Sequence, residues 1–206
     1  ELLGAGLVDD MEKVYEYVGR IQKQARNMSN IINDILRLSS LEEKKEPQTP
    51  VLLNLHQICT EAAAVLTTEA QKKNVTIHVD GKDTYIDAQR EDIWQLVLNL
   101  LDNAVKYNVE GGRVDLITYP EGDHAVLIVK DTGIGIPAPD LPRVFERFYR
   151  VDKGRSRAVG GTGLGLSIVK HIVARYKGEL SLQSKLGVGT EFTIRFHRAA
   201  ASKKDT

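Results

Sequence analysis

A second cysteine is missing from this chain. The lone Cys59 excludes an internal disulfide and suits a reducing compartment. Charge of one sign is not in excess either. Lys+Arg and Asp+Glu both number 28, so no basic surplus points to nucleic acid or to an acidic membrane surface. No apolar run approaches the roughly 20 residues that cross a bilayer. The chain starts at Glu1 with neither an initiator Met nor a signal-peptide pattern, and has no internal repeat or low-complexity tract. The common phosphate-binding signatures are also missing. There is no G-x-x-x-x-G-K-[ST] loop, and Ile168 stands where the dinucleotide fingerprint needs its third glycine. The expectation is a soluble, cytoplasmic piece of a longer protein, with room in 206 residues for one domain and an extension.

Proline is absent until Pro47, and the stretch before it is strongly periodic. Leu7, Met11, Val14, Val18, Ile21, Ala25, Met28, Ile32 and Ile35 alternate at four and three residues, a heptad seam. It predicts a helix over about 9–43, roughly 50 Å long. Ile31 and Leu38 widen the stripe towards a bundle rather than a two-stranded zipper. A charged segment with Pro47 and Pro50 then reads as a linker. Beyond it, period-two runs predict strands at 51–55, 75–79, 84–87, 113–119, 124–130, 178–184 and 189–196. Helical spacing covers 55–74, 91–107 and 164–176. Strands in runs with helices grouped between them imply an α+β sandwich, helices on one face of a mixed sheet.

Three stretches carry chemistry. In the helix over 91–107, Asn99, Asn103 and Lys106 fall within about 60° of one another at 100° per residue. Ile93, Val97, Leu100, Leu101 and Ala104 take the opposite arc. Amide oxygens are hard ligands suited to Mg²⁺, and an ammonium suits phosphate oxygens. Asparagine is a poor helix former, so two of them one turn apart call for a reason beyond a solvated face. Tyr107 sits at the stripe's edge, placed to lean on a flat ring. The second stretch is Asp131-Thr132-Gly133-Ile134-Gly135-Ile136-Pro137, after a buried-strand pattern. An acceptor beside a bare backbone shelf suits a planar amino-bearing ring such as adenine, although the same pattern also makes an ordinary turn. The third is Gly160-Gly161-Thr162-Gly163-Leu164-Gly165, running into a helix whose N-terminal N–H groups favour an anion. Between the last two lies Phe145-Glu146-Arg147-Phe148-Tyr149-Arg150, then Lys153, Arg155 and Arg157 in an aperiodic basic segment. Residues 140–158 are expected to form a mobile lid.

These motifs, in this order, resemble those of sensor histidine kinases. Asn99 to Tyr107 is similar to the N box, Asp131-x-Gly133-x-Gly135 to the first glycine box, Phe145 to Arg150 to the F box, and Gly161-x-Gly163-x-Gly165 to the second glycine box. The resemblance covers about 51–198 and implies the Bergerat ATP-binding fold. By that likeness Asn99 and Asn103 would hold Mg²⁺, and Asp131 would accept from the adenine amine, with Tyr107 packed beside it. Gly133, Gly135 and Ile136 would belong to the adenine side of the cofactor site. Gly161, Thr162, Gly163, Leu164 and Gly165 would line the phosphates of ATP. Lys106 and Arg150 would be the catalytic cations, Arg150 at the γ-phosphate. The seam helix resembles the second helix of the dimerisation and histidine-phosphotransfer hairpin.

The implied domains are a helical remnant at 1–46, a linker at 47–50, the ATP-binding domain at 51–199 and a flexible tail at 200–206. The implied partners are a response-regulator receiver domain and a second copy of the parent protein. No nucleic acid is expected, and a membrane only through segments outside the chain. One departure stands out. None of the five histidines, His56, His78, His124, His171 and His197, has the His-acid-x-Thr-Pro setting of the family's phospho-acceptor. The chain is expected to begin just downstream of that residue and not to phosphorylate itself. The rival readings are an ATPase of the gyrase or MutL class and a serine kinase of the anti-sigma-factor type. Asn99 stands where the first carries a general-base glutamate, and the long heptad helix argues against the second. A non-enzymatic dimerisation module with a degenerate site is a third, against which the intact motifs argue.

Overall fold

The computed structural model describes residues 11–42, 50–151 and 161–199. The chain opens with α1, Met11–Glu42, which follows the heptad pattern over 32 residues. Its seam is largely uncovered: Met11, Val18, Ile21, Met28, Ile32 and Ile35 are all exposed. Among the described residues its C-terminal half meets the rest of the chain, with Leu38 buried and Leu41 partly buried in the core and Asp34 and Arg37 making polar contacts. The expected linker and tail fall almost wholly outside the described residues, as do Asp9 and Asp10 near the expected helix start.

The remainder builds on a five-stranded sheet. Its strands are β2 (Thr76–Gly81), β4 (Arg113–Glu121), β5 (His124–Asp131), β6 (Glu179–Lys185) and β7 (Gly189–His197), in the order β2-β4-β5-β7-β6. β2 pairs parallel with β4 and every other pairing is antiparallel, so the sheet is mixed as expected. β5, at the centre, alternates strictly enough that Ala125, Leu127 and Val129 all enter the core. Helices α2 (Leu55–Gln71), α3 (Arg90–Lys106) and α4 (Gly165–Arg175) cover one face. Ile58 and Ala62 of α2, Leu96 and Leu100 of α3, and Ile168 and Ile172 of α4 lie almost fully buried against Leu116, Leu127, Ile194 and Phe196 of the sheet. Cys59 belongs to this core, and burial pushes its thiol up to about 12.

Two details depart from the sequence reading. The strands β1 (Val51–Asn54) and β3 (Tyr85–Ala88) leave the main sheet and pair with each other antiparallel. Helix α2 ends at Gln71 rather than near 74, because Asn74 adopts φ 54° and turns the chain back, with the Val75 N–H returning to the Ala70 carbonyl. Its other end is fixed by Asn54, whose side-chain oxygen accepts from the His56 N–H at 3.0 Å, an N-cap.

The seating of α1 rests on a buried carboxylate. Asp92, in the first turn of α3, pairs with Arg37 of α1. Tyr176 donates its hydroxyl to the same carboxylate at 2.6 Å, and the Arg175 Nε lies 3.7 Å away. A buried carboxylate costs several kcal/mol unless it is paired and hydrogen-bonded, and Asp92 is both.

Candidate functional site

Helix α3 sets the floor of the site. Its apolar residues Ile93, Val97, Leu100, Leu101 and Ala104 are buried, which turns Gln95, Asn99, Asp102, Asn103 and Lys106 towards a chamber of 510 Å³. The orientation of the Asn99 amide follows from its neighbours. Its Nδ2 donates to the Gly165 carbonyl at 3.3 Å, an atom that can only accept. Its Oδ1 is therefore turned the other way, where Gln95 donates to it at 3.2 Å. Lys106 lies 2.6 Å from Asp102, one turn back on the helix, which engages one of its three N–H donors.

The end of β5 and the loop after it form the second wall. Asp131 Oδ1 accepts from the Gly133 N–H at 2.8 Å. Burial pushes the Asp131 carboxyl up to about 6, against the pull of the Gly133 and Thr190 N–H groups. The loop is stitched on both sides. The Ile134 N–H reaches the Tyr107 carbonyl at 3.0 Å, the Gly187 N–H reaches the Ile134 carbonyl at 2.8 Å, and the Ile136 N–H reaches Ser184 Oγ at 2.8 Å. Gly135 has φ +68°, and a Cβ there would stand 2.1 Å from the Lys185 carbonyl oxygen. Only glycine permits this approach of loop to hairpin.

The third wall joins the F-box segment to the start of α4. The Phe148 N–H bonds the Gly163 carbonyl at 2.9 Å, and Phe145 packs edge-on against Phe192 of β7. Tyr149 donates its hydroxyl to Asp140 and carries the Arg143 guanidinium over its ring at 4.2 Å. Arg143, Phe145, Phe148 and Tyr149 are thus engaged by named contacts, while 152–158 of the expected lid, with Lys153, Arg155 and Arg157, lie outside the described residues. Arg150 turns into the chamber with Nε and Nη2 buried and, among the described residues, without a hydrogen-bond partner. Its Nη2 lies 3.9 Å from where a Cβ on Gly161 would stand, and the Tyr107 hydroxyl 3.6 Å from the same point.

Of the residues expected to bind the cofactor, Asn99, Asn103, Lys106, Tyr107, Asp131, Gly135, Ile136, Arg150, Gly161, Thr162, Gly163 and Gly165 all line this chamber. Gly133 and Leu164 stand behind it. Gly133 orients Asp131, and Leu164 is a fully buried core residue whose N–H bonds the Thr162 hydroxyl at 3.2 Å. Sequence reasoning missed Gln95, which the same 100° arithmetic places one turn before Asn99. It also missed the fourth wall, Asn30, Asn33 and Asp34 of α1. On a long polar helix nothing local distinguishes those three from solvated positions.

Residues 88–200 match the family described as histidine kinase-, DNA gyrase B-, and HSP90-like ATPase. The chain belongs to this family. Among curated relatives, the sensor histidine kinase RppB of Synechocystis sp. is 36% identical over 181 residues, covering 85% of this chain and 39% of that protein. The sensor-like histidine kinase SenX3 of Mycolicibacterium smegmatis is 34% identical over 187 residues, covering 90% of this chain and 49% of that protein. This ATP-binding chain thus spans half or less of the length of either relative. Among solved structures, full-length ShkA in complex with AMPPNP superposes with a TM-score of 0.78 at 26% identity, over 91% of this chain and 40% of that one. The α+β arrangement, with its mixed sheet and N-terminal helix, is that of the histidine-kinase ATPase fold.

Proposed function

We propose that this chain is the ATP-binding core of a two-component sensor histidine kinase. The observation that carries the reading is Arg150. A guanidinium with two buried nitrogens that have no partner among the described residues, facing a glycine-lined helix start, suits an anion, since an unsatisfied buried cation is costly. The donor set around it fits a magnesium nucleotide. Asn99 and Asn103 offer neutral hard oxygens, Lys106 a second cation, and Gly161 and Gly165 let a phosphate approach the backbone.

In this reading Asn99 and Asn103 hold Mg²⁺, with Gln95 and the Gly165 carbonyl fixing the Asn99 amide in one orientation. Lys106 and Arg150 bind and neutralise the phosphates, Arg150 at the γ end. Asp131 accepts from the adenine amine, while Tyr107 and Ile136 flank the ring. Bound Mg·ATP supplies the phosphoryl group. A histidine from outside these 206 residues receives it, since none of the chain's own five histidines lines the chamber. A response-regulator aspartate is the onward acceptor. Hydrolysis of the gyrase type is disfavoured, because the amide of Asn99 cannot take a proton from water. The uncovered heptad seam of α1 supports its role as one helix of a dimerising hairpin, with residues 1–46 its remnant, 47–50 a linker and 51–199 the catalytic domain. Among the described residues no helix is long and apolar enough to cross a membrane, and we place this part of the protein in the cytoplasm.

The test is calorimetric. Titration with Mg·ATP and Mg·ADP should show binding of both. Arg150→Ala should weaken ATP at least about tenfold, as expected for a lost charge-assisted contact, and ADP distinctly less. Offered a histidine-bearing kinase hairpin and γ-labelled ATP, the chain should place acid-labile label on the hairpin and not on itself. A wild-type chain that binds neither nucleotide would refute the proposal.

A further inference from the structure

Helix α1 closes the chamber with a carboxylate. Asp34 Oδ2 accepts from the Thr162 hydroxyl at 2.8 Å, and that oxygen in turn accepts from the Leu164 N–H at 3.2 Å. The proton direction is thereby fixed, with Thr162 donating to Asp34. Two contacts one turn further along α1 pin the position, Arg37 on Asp92 and Leu38 in the core. The charged groups that line the chamber with it are Lys106 and Arg150 as cations, and Asp102 and Asp131 as carboxylates. Asp102 is paired with Lys106 at 2.6 Å, whereas the partner of Asp34 among the described residues is a neutral hydroxyl. The negative charge of Asp34 is therefore less compensated than that of Asp102. Burial raises its pKa, opposed by the Thr162 hydrogen bond and by the charge of Lys106.

We propose that Asp34 is a selectivity residue of the nucleotide site, a fixed negative charge beside the phosphate-binding groups that rejects metal-free nucleotide and admits the magnesium complex. The inference rests on the nucleotide-binding reading given above. Its physical basis is Coulombic. A carboxylate a few ångströms from a polyanion in a partly desolvated chamber repels it in proportion to its net charge, and a bound divalent cation removes two units of that charge. Neutral Asn99 and Asn103 can favour the magnesium complex by ligating the metal, but they add no repulsion against metal-free nucleotide. Asp34 supplies the penalty. Because it comes from α1, the selectivity exists only while that helix is seated.

The experiment compares affinities for ATP with excess Mg²⁺ and with EDTA, by calorimetry on the full chain. Asp34→Asn keeps the size of the side chain and an acceptor oxygen for Thr162, but removes the charge. Binding of metal-free ATP should strengthen about tenfold and that of Mg·ATP by less than about threefold, the scale of one charge at a screened site. Asp34→Glu, which keeps the charge, should retain the wild-type ratio, and this separates the charge from any packing effect. An unchanged ratio in Asp34→Asn overturns the inference and leaves the nucleotide site standing. Weakened Mg·ATP binding with metal-free binding unaltered also overturns it, since Asp34 would then be a metal ligand. Failure of the wild-type chain to bind ATP under either condition refutes both this inference and the reading beneath it.

Discussion

Replacing Gly135 by alanine should cost the protein both stability and its nucleotide site. Three contributions add up. An L-residue at φ +68° costs about 1–2 kcal/mol. The new Cβ would stand 2.1 Å from the Lys185 carbonyl oxygen and 2.7 Å from its carbon. Both atoms are backbone, so no side-chain rotation relieves the overlap, and the β6–β7 hairpin must move away from the loop by about an ångström to reach ordinary contact. That movement breaks the Gly187-to-Ile134 and Ile136-to-Ser184 hydrogen bonds. At about 1 kcal/mol each, these bring the loss to roughly 3–4 kcal/mol. Urea denaturation reads that loss directly, and ATP titration should show weaker binding because Asp131 and Ile136 border the displaced loop. Gly187 is the control. It also has a positive φ, +77°, yet a Cβ there meets nothing within 4 Å, so Gly187→Ala should cost only the conformational part, about 1–2 kcal/mol. Equal losses in the two variants would refute the reasoning, since the backbone contact would then count for nothing.

Other outcomes follow from the same geometry. Tyr176→Phe removes the hydroxyl that donates to Asp92 and accepts from the Gln89 N–H. It should destabilise the chain by about 1–3 kcal/mol in urea denaturation while leaving ATP affinity in place. The Asp131 carboxyl is raised by burial to about 6 from an ordinary 3.8, so the folded state favours its protonated form. The cost of ionising it is therefore absent below about pH 4, grows up to pH 6, and is constant above. Asp131→Asn, which cannot ionise, should gain stability relative to wild type across that window, by on the order of 2 kcal/mol after solvent screening. A gap that stays level from pH 4 to pH 7 would count against the burial of that charge.

The legible parts of the site were those whose geometry is local. The face of α3 follows from 100° per residue and from residue type alone, and Asn99, Asn103 and Lys106 all reach the chamber. The loop after β5 was legible for a similar reason: an aspartate and two glycines at a strand end permit few backbone paths. What escaped depends on pairings distant in sequence. Nothing in Val51–Asn54 says that it will meet Tyr85–Ala88 instead of the main sheet. Nothing local to Ser184 says that its hydroxyl will hold Ile136, 48 residues away. The α1 wall is the extreme case, since Asp34 and Thr162 are 128 residues apart. The heptad seam was read correctly as a helix, but its periodicity could not tell which turns would meet this domain. The turns that do so carry Asp34, Arg37, Leu38 and Leu41.

Asp92 has one consequence for how α1 is joined. Had Arg37 been its sole partner, lifting the helix would strand a buried anion, and the two parts would behave as one welded body. Arg175 and Tyr176 come from the domain itself and stay behind. The joint can open while its socket remains neutralised, so the helix can leave and return without the domain unfolding around the vacated carboxylate. A fastener of this kind makes α1 a separable part, its seating set by a few side chains in its C-terminal turns.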